Sequence, residues 1–170
     1  VIHLTNIQRE DHPVKKLHVW ALGDIVEGEL IFPGQSFLID GGLYRQVTVD
    51  GPRIMATFLR TMLENFDSVH VSGVIGNHGA IGGRARKDHD PETNADRMLY
   101  RIISLMFESE PRITFDIPDG HGERNWYTVD RIGNYSCLLC HGDQFRSFGS
   151  FYPFQKKIYG WKVGAVKEDF

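Results

Sequence analysis

Val69-His70-Val71-Ser72-Gly73-Val74-Ile75-Gly76-Asn77-His78 is the stretch whose reading decides the fold. A β-branched apolar run that stops at Gly-Asn-His reads as a buried strand delivering polar side chains to a sheet edge. Two further segments share the design. Leu17-His18-Val19-Trp20-Ala21-Leu22 ends in Gly23-Asp24, and Tyr135-Ser136-Cys137-Leu138-Leu139-Cys140 ends in His141-Gly142-Asp143. Strands that each finish on Asp, Asn or His beside a glycine predict one site at the carboxyl ends of a sheet, where open α/β sheets place their ligands.

Working outward, the remaining segments alternate helix and strand. Val1 to Gln8 reads as a helix end, and Arg9 to Pro13 as a polar loop. Residues 29–50 read as irregular, with Pro33, Gly34, Gly41 and Gly42 among aliphatic and aromatic residues; a loop of that length is usually functional. Pro52 to Phe66 carries Ile54, Met55, Phe58, Leu59, Met62 and Leu63 at helical spacing, with Pro52 suited to the first turn. A second helix is predicted from about Thr93 to Phe107, capped by Thr93 or Asn94. Arg112 to Ile117 is a short strand, and Trp126 to Val129 pairs with Tyr135 to Cys140 as a hairpin. The aromatic, basic stretch from Gln144 to Phe170 receives no assignment. With no repeat and no linker, residues 1–170 are read as one α/β domain with a mixed sheet or two sheets.

The totals bound the function. A chain of 170 residues with 41% hydrophobic and 24% charged residues suits one domain with a real core. The net charge of −3 argues against binding nucleic acid through bulk positive charge. It leaves room for a phosphate substrate, because bound divalent ions supply positive charge locally. No run approaches the roughly 20 apolar residues that cross a bilayer, so no membrane partner is expected. The two cysteines give no disulfide framework, which makes a reducing cytoplasm the default. The chain opens on Val1, and a piece upstream of it is expected.

Asp, Asn and His at the three strand ends form a mixed oxygen and nitrogen ligand set. It suits Mn²⁺, Fe²⁺ or Zn²⁺ better than softer metals, and a carboxylate is able to bridge two ions. His78 has a second use: imidazole titrates near working pH and can protonate a leaving oxygen. Each residue also has a plainer reading. Asp24 fits a turn or helix cap, Asn77 a left-handed turn residue beside Gly76, and His78 a core histidine.

Gly23-Asp24, Gly76-Asn77-His78 and His141-Gly142 resemble, in order, the second, third and fourth signature blocks of the calcineurin-like metallophosphoesterases, over roughly residues 17–145. The resemblance implies a four-layer α/β/β/α sandwich, incomplete at both ends, and a site with two divalent metal ions, Mn²⁺ foremost. By it Asp24 would bridge both metals, Asn77 and His141 would bind the second, and His78 would be the catalytic histidine. The family hydrolyses phosphomonoesters or phosphodiesters. The long loops and the basic segment after Gly-Asn-His look more like the DNA-repair exonuclease branch, which implies a phosphodiesterase or nuclease acting on DNA. A phosphomonoesterase on nucleotides or phosphoproteins is the alternative. The departures are the family's opening Asp-x-His, its closing Gly-His-x-His, and the acidic residue that often follows the catalytic histidine, replaced here by Gly79. They keep a third reading open, a catalytically incomplete binding or scaffold domain.

Arg84, Arg86 and Lys87 follow the site closely and are candidates for contacting substrate phosphates, or else form a solvated loop. Cys137-Leu138-Leu139-Cys140-His141 matches the haem attachment pattern C-x-x-C-H. Residues three apart on a strand face opposite sides, so haem is not expected and the thiols read as buried and inert. The basic, aromatic tail fits either stacking along a single nucleic-acid strand or core packing.

Overall fold

The computed structural model describes residues 1–82, 90–122, 124–145, 151–166 and 170. Among them, helix α1 (Ile2–Gln8) precedes strand β1 (Lys16–Ala21). A short helix α2 (Leu43–Arg45) runs through a π turn (Gln46–Asp50) into helix α3 (Gly51–Asn65). Strand β2 (Ser68–Gly73), helix α4 (Ala95–Met106) and strand β3 (Ile113–Asp116) follow. Strands β4 (Tyr127–Ile132) and β5 (Tyr135–Cys140) form a hairpin, and helix α5 (Phe151–Gly160) leads into a second π segment, Trp161–Ala165.

Strands β1, β2 and β3 make a parallel sheet with β2 in the middle, and β4 pairs with β5 antiparallel. Parallel neighbours need a crossover, which α3 and α4 supply. Side chains alternate across the sheet. Leu17, Val19, Val69, Val71, Ile113 and Phe115 therefore share one face. They close a core with Leu59, Met62, Leu63 and Phe66 of and after α3, and Leu99 and Ile103 of α4.

The opposite face is polar and meets the hairpin through two reciprocal carboxylates. From β4, Asp130 accepts the Trp20 indole N–H at 2.7 Å and stands 2.7 Å from His18 Nδ1, with His70 Nε2 at 3.8 Å. From β3, Asp116 accepts Arg124 Nη2 at 3.1 Å and the Thr128 hydroxyl. The hairpin's outer face carries Tyr127, Val129, Leu138 and Cys140, which pack with Trp161 and Ile158 into a second cluster. The fold is thus mixed α/β, built on a parallel three-stranded sheet with helices and a separate hairpin.

Three expectations need correction. Residues 43–50, read as irregular, are helical: Val47 is buried and Leu43 packs against the same core, too few apolar positions among the surrounding glycines to show a period. The unassigned tail forms α5 and packs on the hairpin. Cys137 and Cys140 are free and only partly buried rather than sealed in the core.

Candidate metal centre

The loop after β1 turns sharply because Gly23 and Asp24 both take left-handed backbone angles, φ 81° and 52°. Such angles are uncommon for a residue other than glycine, and here they fall on Asp24 rather than on Asn77. The turn presses this loop onto the end of β2. A Cβ on Gly23 would stand 2.6 Å from the Gly76 nitrogen and 2.9 Å from His141 Nδ1. A Cβ on Gly76 would collide with the Asp24 carboxylate. Both glycines are therefore there to let the strand ends touch.

The touching ends bring three of the sequence candidates together. His141 Nε2 lies 3.1 Å from Asp24 Oδ2 and 3.1 Å from Asn77 Oδ1. His141 Nδ1 stands 2.7 Å from the Leu22 carbonyl oxygen, which can only accept, so Nδ1 carries the hydrogen. In the neutral ring, Nε2 is then a bare lone pair facing two oxygens. A cation between them reconciles that arrangement, as does a proton on Nε2 or an Asn77 amide turned to donate to it. Ligand atoms about 2.1 Å from one ion at right angles stand about 3 Å apart. The side chains of His141 and Asp24, and those of His141 and Asn77, stand at that separation. They are 17% exposed at His141 and 28% at Asp24, so solvent reaches the centre.

His78 sits beside this triad. Its backbone N–H donates to Asp24 Oδ1 at 2.8 Å, and its ring Nε2 is 3.8 Å from Asp24 Oδ2. Its Nδ1 donates to the Glu27 carbonyl at 2.8 Å, and that oxygen also accepts Gln35 Nε2 at 3.2 Å. A backbone carbonyl thus sets the ring's tautomer. No side chain fits at Gly79: a Cβ there would meet Asn94 Oδ1 at 2.5 Å and the Asp96 nitrogen at 3.0 Å.

Sequence reasoning missed Asp96, which is fully buried on the first turn of α4 and accepts backbone N–H groups from the loops after β1 and β2. Burial raises its pKa against the pull of those four N–H donors. Its only sequence signal is an acid in a helical first turn, which reads as an ordinary dipole partner. Arg84, Arg86 and Lys87 lie outside the described residues.

A cavity of about 520 Å³ is lined by Ile25, Glu27, Leu38, Asp40, Ile54 and Met55, and by none of the four candidate residues. Another, of about 160 Å³, touches Asn77, Trp126, Asp143 and Gln144. Among the described residues no group of three or more His, Cys, Asp or Glu side chains is arranged to hold a metal ion. The triad reaches three ligands only through the Asn77 amide oxygen. No helix among those residues is long and apolar enough to cross a membrane. The chain matches no family model, no curated protein and no solved structure.

Proposed function

We propose that this chain is a metal-dependent phosphoester hydrolase whose preferred substrate is a phosphodiester, DNA foremost. The observation that carries the reading is the convergence of Asp24 Oδ2, Asn77 Oδ1 and His141 Nε2, with His78 alongside. Asp24, Asn77 and His141 would hold a divalent ion, with Mn²⁺ preferred over Fe²⁺ and Zn²⁺. When bound, such an ion polarises a phosphoryl oxygen and lowers the pKa of a water. By the resemblance, Asp24 would also help to hold a second ion.

The chain's own groups supply the rest. His141 is held by the Leu22 carbonyl with its Nε2 lone pair toward the centre. His78, with Nδ1 on the Glu27 carbonyl, presents Nε2 as the atom that carries a proton to the leaving oxygen. Helices on one face of the sheet, the hairpin on the other and α5 beyond it support the four-layer α/β/β/α reading.

A phosphomonoesterase remains the alternative within the same chemistry. The scaffold reading is favoured by one observation, the space at position 79 taken up by Asn94. Mn²⁺ titration by calorimetry, with hydrolysis of bis-p-nitrophenyl phosphate, separates them. The hydrolase reading expects saturable Mn²⁺ binding and turnover that His78→Ala removes. Metal binding without turnover of either a diester or p-nitrophenyl phosphate would favour the scaffold, and no metal binding would end both metal readings.

A further inference from the structure

We propose that Asp96 is the positioning residue of this metal centre: its buried carboxylate holds the loop after β1 and the loop after β2 in the one relative placement that lets Asp24 and Asn77 converge on His141. The inference rests on the metal-centre reading above.

Asp96 Oδ2 accepts the N–H groups of Asp24 at 3.0 Å and Gly76 at 2.9 Å. Its Oδ1 accepts those of Ile25 at 2.9 Å and Val26 at 3.3 Å. The left-handed pair Gly23-Asp24 turns successive amides toward the same point. Amides arranged in this way form a concave anion nest, and Asp96 fills it from inside the protein. One oxygen, Oδ2, is shared between the two loops, so neither can move without breaking a bond held by the other.

Asn94, the cap of α4, closes the clamp. Its Oδ1 accepts the Asp96 N–H at 2.9 Å, while its Nδ2 donates to the Gly76 carbonyl at 2.9 Å. The residue preceding Asn77 is thus gripped at its N–H by Asp96 and at its carbonyl by Asn94. Ala95 N–H adds a bond to the Gly79 carbonyl at 2.7 Å.

Helix capping does not explain Asp96. None of the four N–H groups it accepts belongs to its own helix; they lie 72, 71, 70 and 20 positions away in the chain. Stability alone does not explain it either. A fully buried carboxylate costs desolvation that apolar packing of similar volume would avoid. What this carboxylate supplies, and an apolar side chain cannot, is a fixed distance between the two ligand-bearing loops. Asp96 reaches the ligands only through backbone, so its role is placement rather than chemistry.

Asp96→Asn tests this. The amide keeps the shape but turns one acceptor oxygen into a donor facing N–H groups, so the bonds to that atom are lost. The fold should survive by circular dichroism. The Mn²⁺ affinity should fall about 10–100-fold, as when metal-supporting hydrogen bonds are removed. In metal-free protein the Asp24 and Gly76 amide resonances should move. On an Asp24→Asn background, Asp96→Asn should cost less further affinity than in the wild type, because the part of its effect that acts through Asp24 is already lost. If Asp96→Asn does not fold, Asn94→Ser decides: it keeps the cap, frees the Gly76 carbonyl, and should also weaken Mn²⁺ binding. Wild-type Mn²⁺ affinity in the folded Asp96→Asn or, failing that, in Asn94→Ser overturns the proposal, as does full additivity with Asp24→Asn. Absence of Mn²⁺ binding by the wild-type chain would instead sink the metal-centre reading beneath it, whatever the amide resonances show.

Discussion

Gly76→Ala perturbs the candidate centre without removing a candidate ligand. The added Cβ would lie 2.9 Å from Asp24 Cγ, and closer still to Asp24 Oδ1 and the Asp24 nitrogen. Carbon atoms in ordinary contact stand about 3.5–4.0 Å apart, so the Cγ contact alone asks the Asp24 loop to retreat by roughly 0.6–1.1 Å, and the closer Oδ1 and nitrogen contacts ask for more. Metal–ligand distances tolerate only about ±0.2 Å, which makes that retreat several times larger than the site can absorb. The His78 N–H bond to Asp24 Oδ1, 2.8 Å long, goes with it. Losing this bond and straining the loop should cost about 1–3 kcal/mol of stability. Mn²⁺ affinity should drop at least about 10–100-fold, with hydrolysis following. Gly133→Ala is the control. Gly133 has φ 58° in the hairpin turn and no neighbour within 4 Å of its Cβ position, so alanine there costs about 1–2 kcal/mol through left-handed strain alone. Calorimetric Mn²⁺ titration and thermal melting of the metal-free proteins separate the two. If both variants lose similar stability but Gly76→Ala keeps wild-type Mn²⁺ affinity, Asp24 is not a ligand placed by that contact.

Three further outcomes are expected. His78→Ala should leave Mn²⁺ affinity near wild type and lower kcat about 10²–10⁴-fold; steady-state kinetics with calorimetry check the split. Gly79→Asp, which restores an acid after the histidine, should weaken metal binding instead of improving catalysis, because the side chain must displace Asn94 Oδ1; enhanced turnover would refute this. The seam between sheet and hairpin should weaken in acid. Burial lowers the His70 pKa from 6.5, opposed by the Asp130 charge and aided by His18 and Lys16. The unfolded chain then binds that proton first, so stability falls as pH drops below about 6.5. At Asp130 burial pushes the carboxyl up, but the Trp20 N–H and His18 outweigh it and hold it below the usual range. Its contribution is present above the ordinary carboxylate pKa and is lost as pH falls through the depressed value. Melting curves of wild type and His70→Asn across pH 5 to 7.5 should differ in slope; parallel curves would refute the His70 part.

The fold was legible where burial is two-sided. β2 is flanked by strands and covered by helices, so its β-branched run had no competing explanation, and β5 was bounded by turn residues on both sides. Helices α3 and α4 declared themselves by spacing because each presents one apolar stripe to the core. Legibility failed where an element buries little. The turn through Gln46–Asp50 buries one hydrophobic residue, Val47, and α5 meets the hairpin rather than the main core. Periodicity is a record of burial, and these segments carry too little of it to read.

The site was legible in a different way. Asp24, Asn77 and His141 stood out because strands that end in polar residues beside glycine are costly unless those ends meet. Spacing along the chain says nothing about what makes them meet. His141 arrives on the hairpin, which is fastened to the sheet by Asp130 on His18 and Trp20. Asp24 and Asn77 arrive on one sheet, held by a carboxylate from α4. Each of these fastenings spans 20 residues or more, and each uses backbone groups or common polar side chains with no distinctive local pattern. The candidate side chains are therefore written locally and stand out in the chain, while their placement is written in long-range polar contacts and does not. It follows that the substitutions most damaging to metal binding should include residues such as Asp96 and Asp130 that touch no metal. For Asp130→Ala, loss of the hairpin's anchor should release His141, leaving Asp24 and Asn77 in place. Mn²⁺ binding should then weaken while the Asp24 and Gly76 amide resonances stay unchanged. Movement of those resonances in Asp130→Ala would show that the two fastenings are not independent.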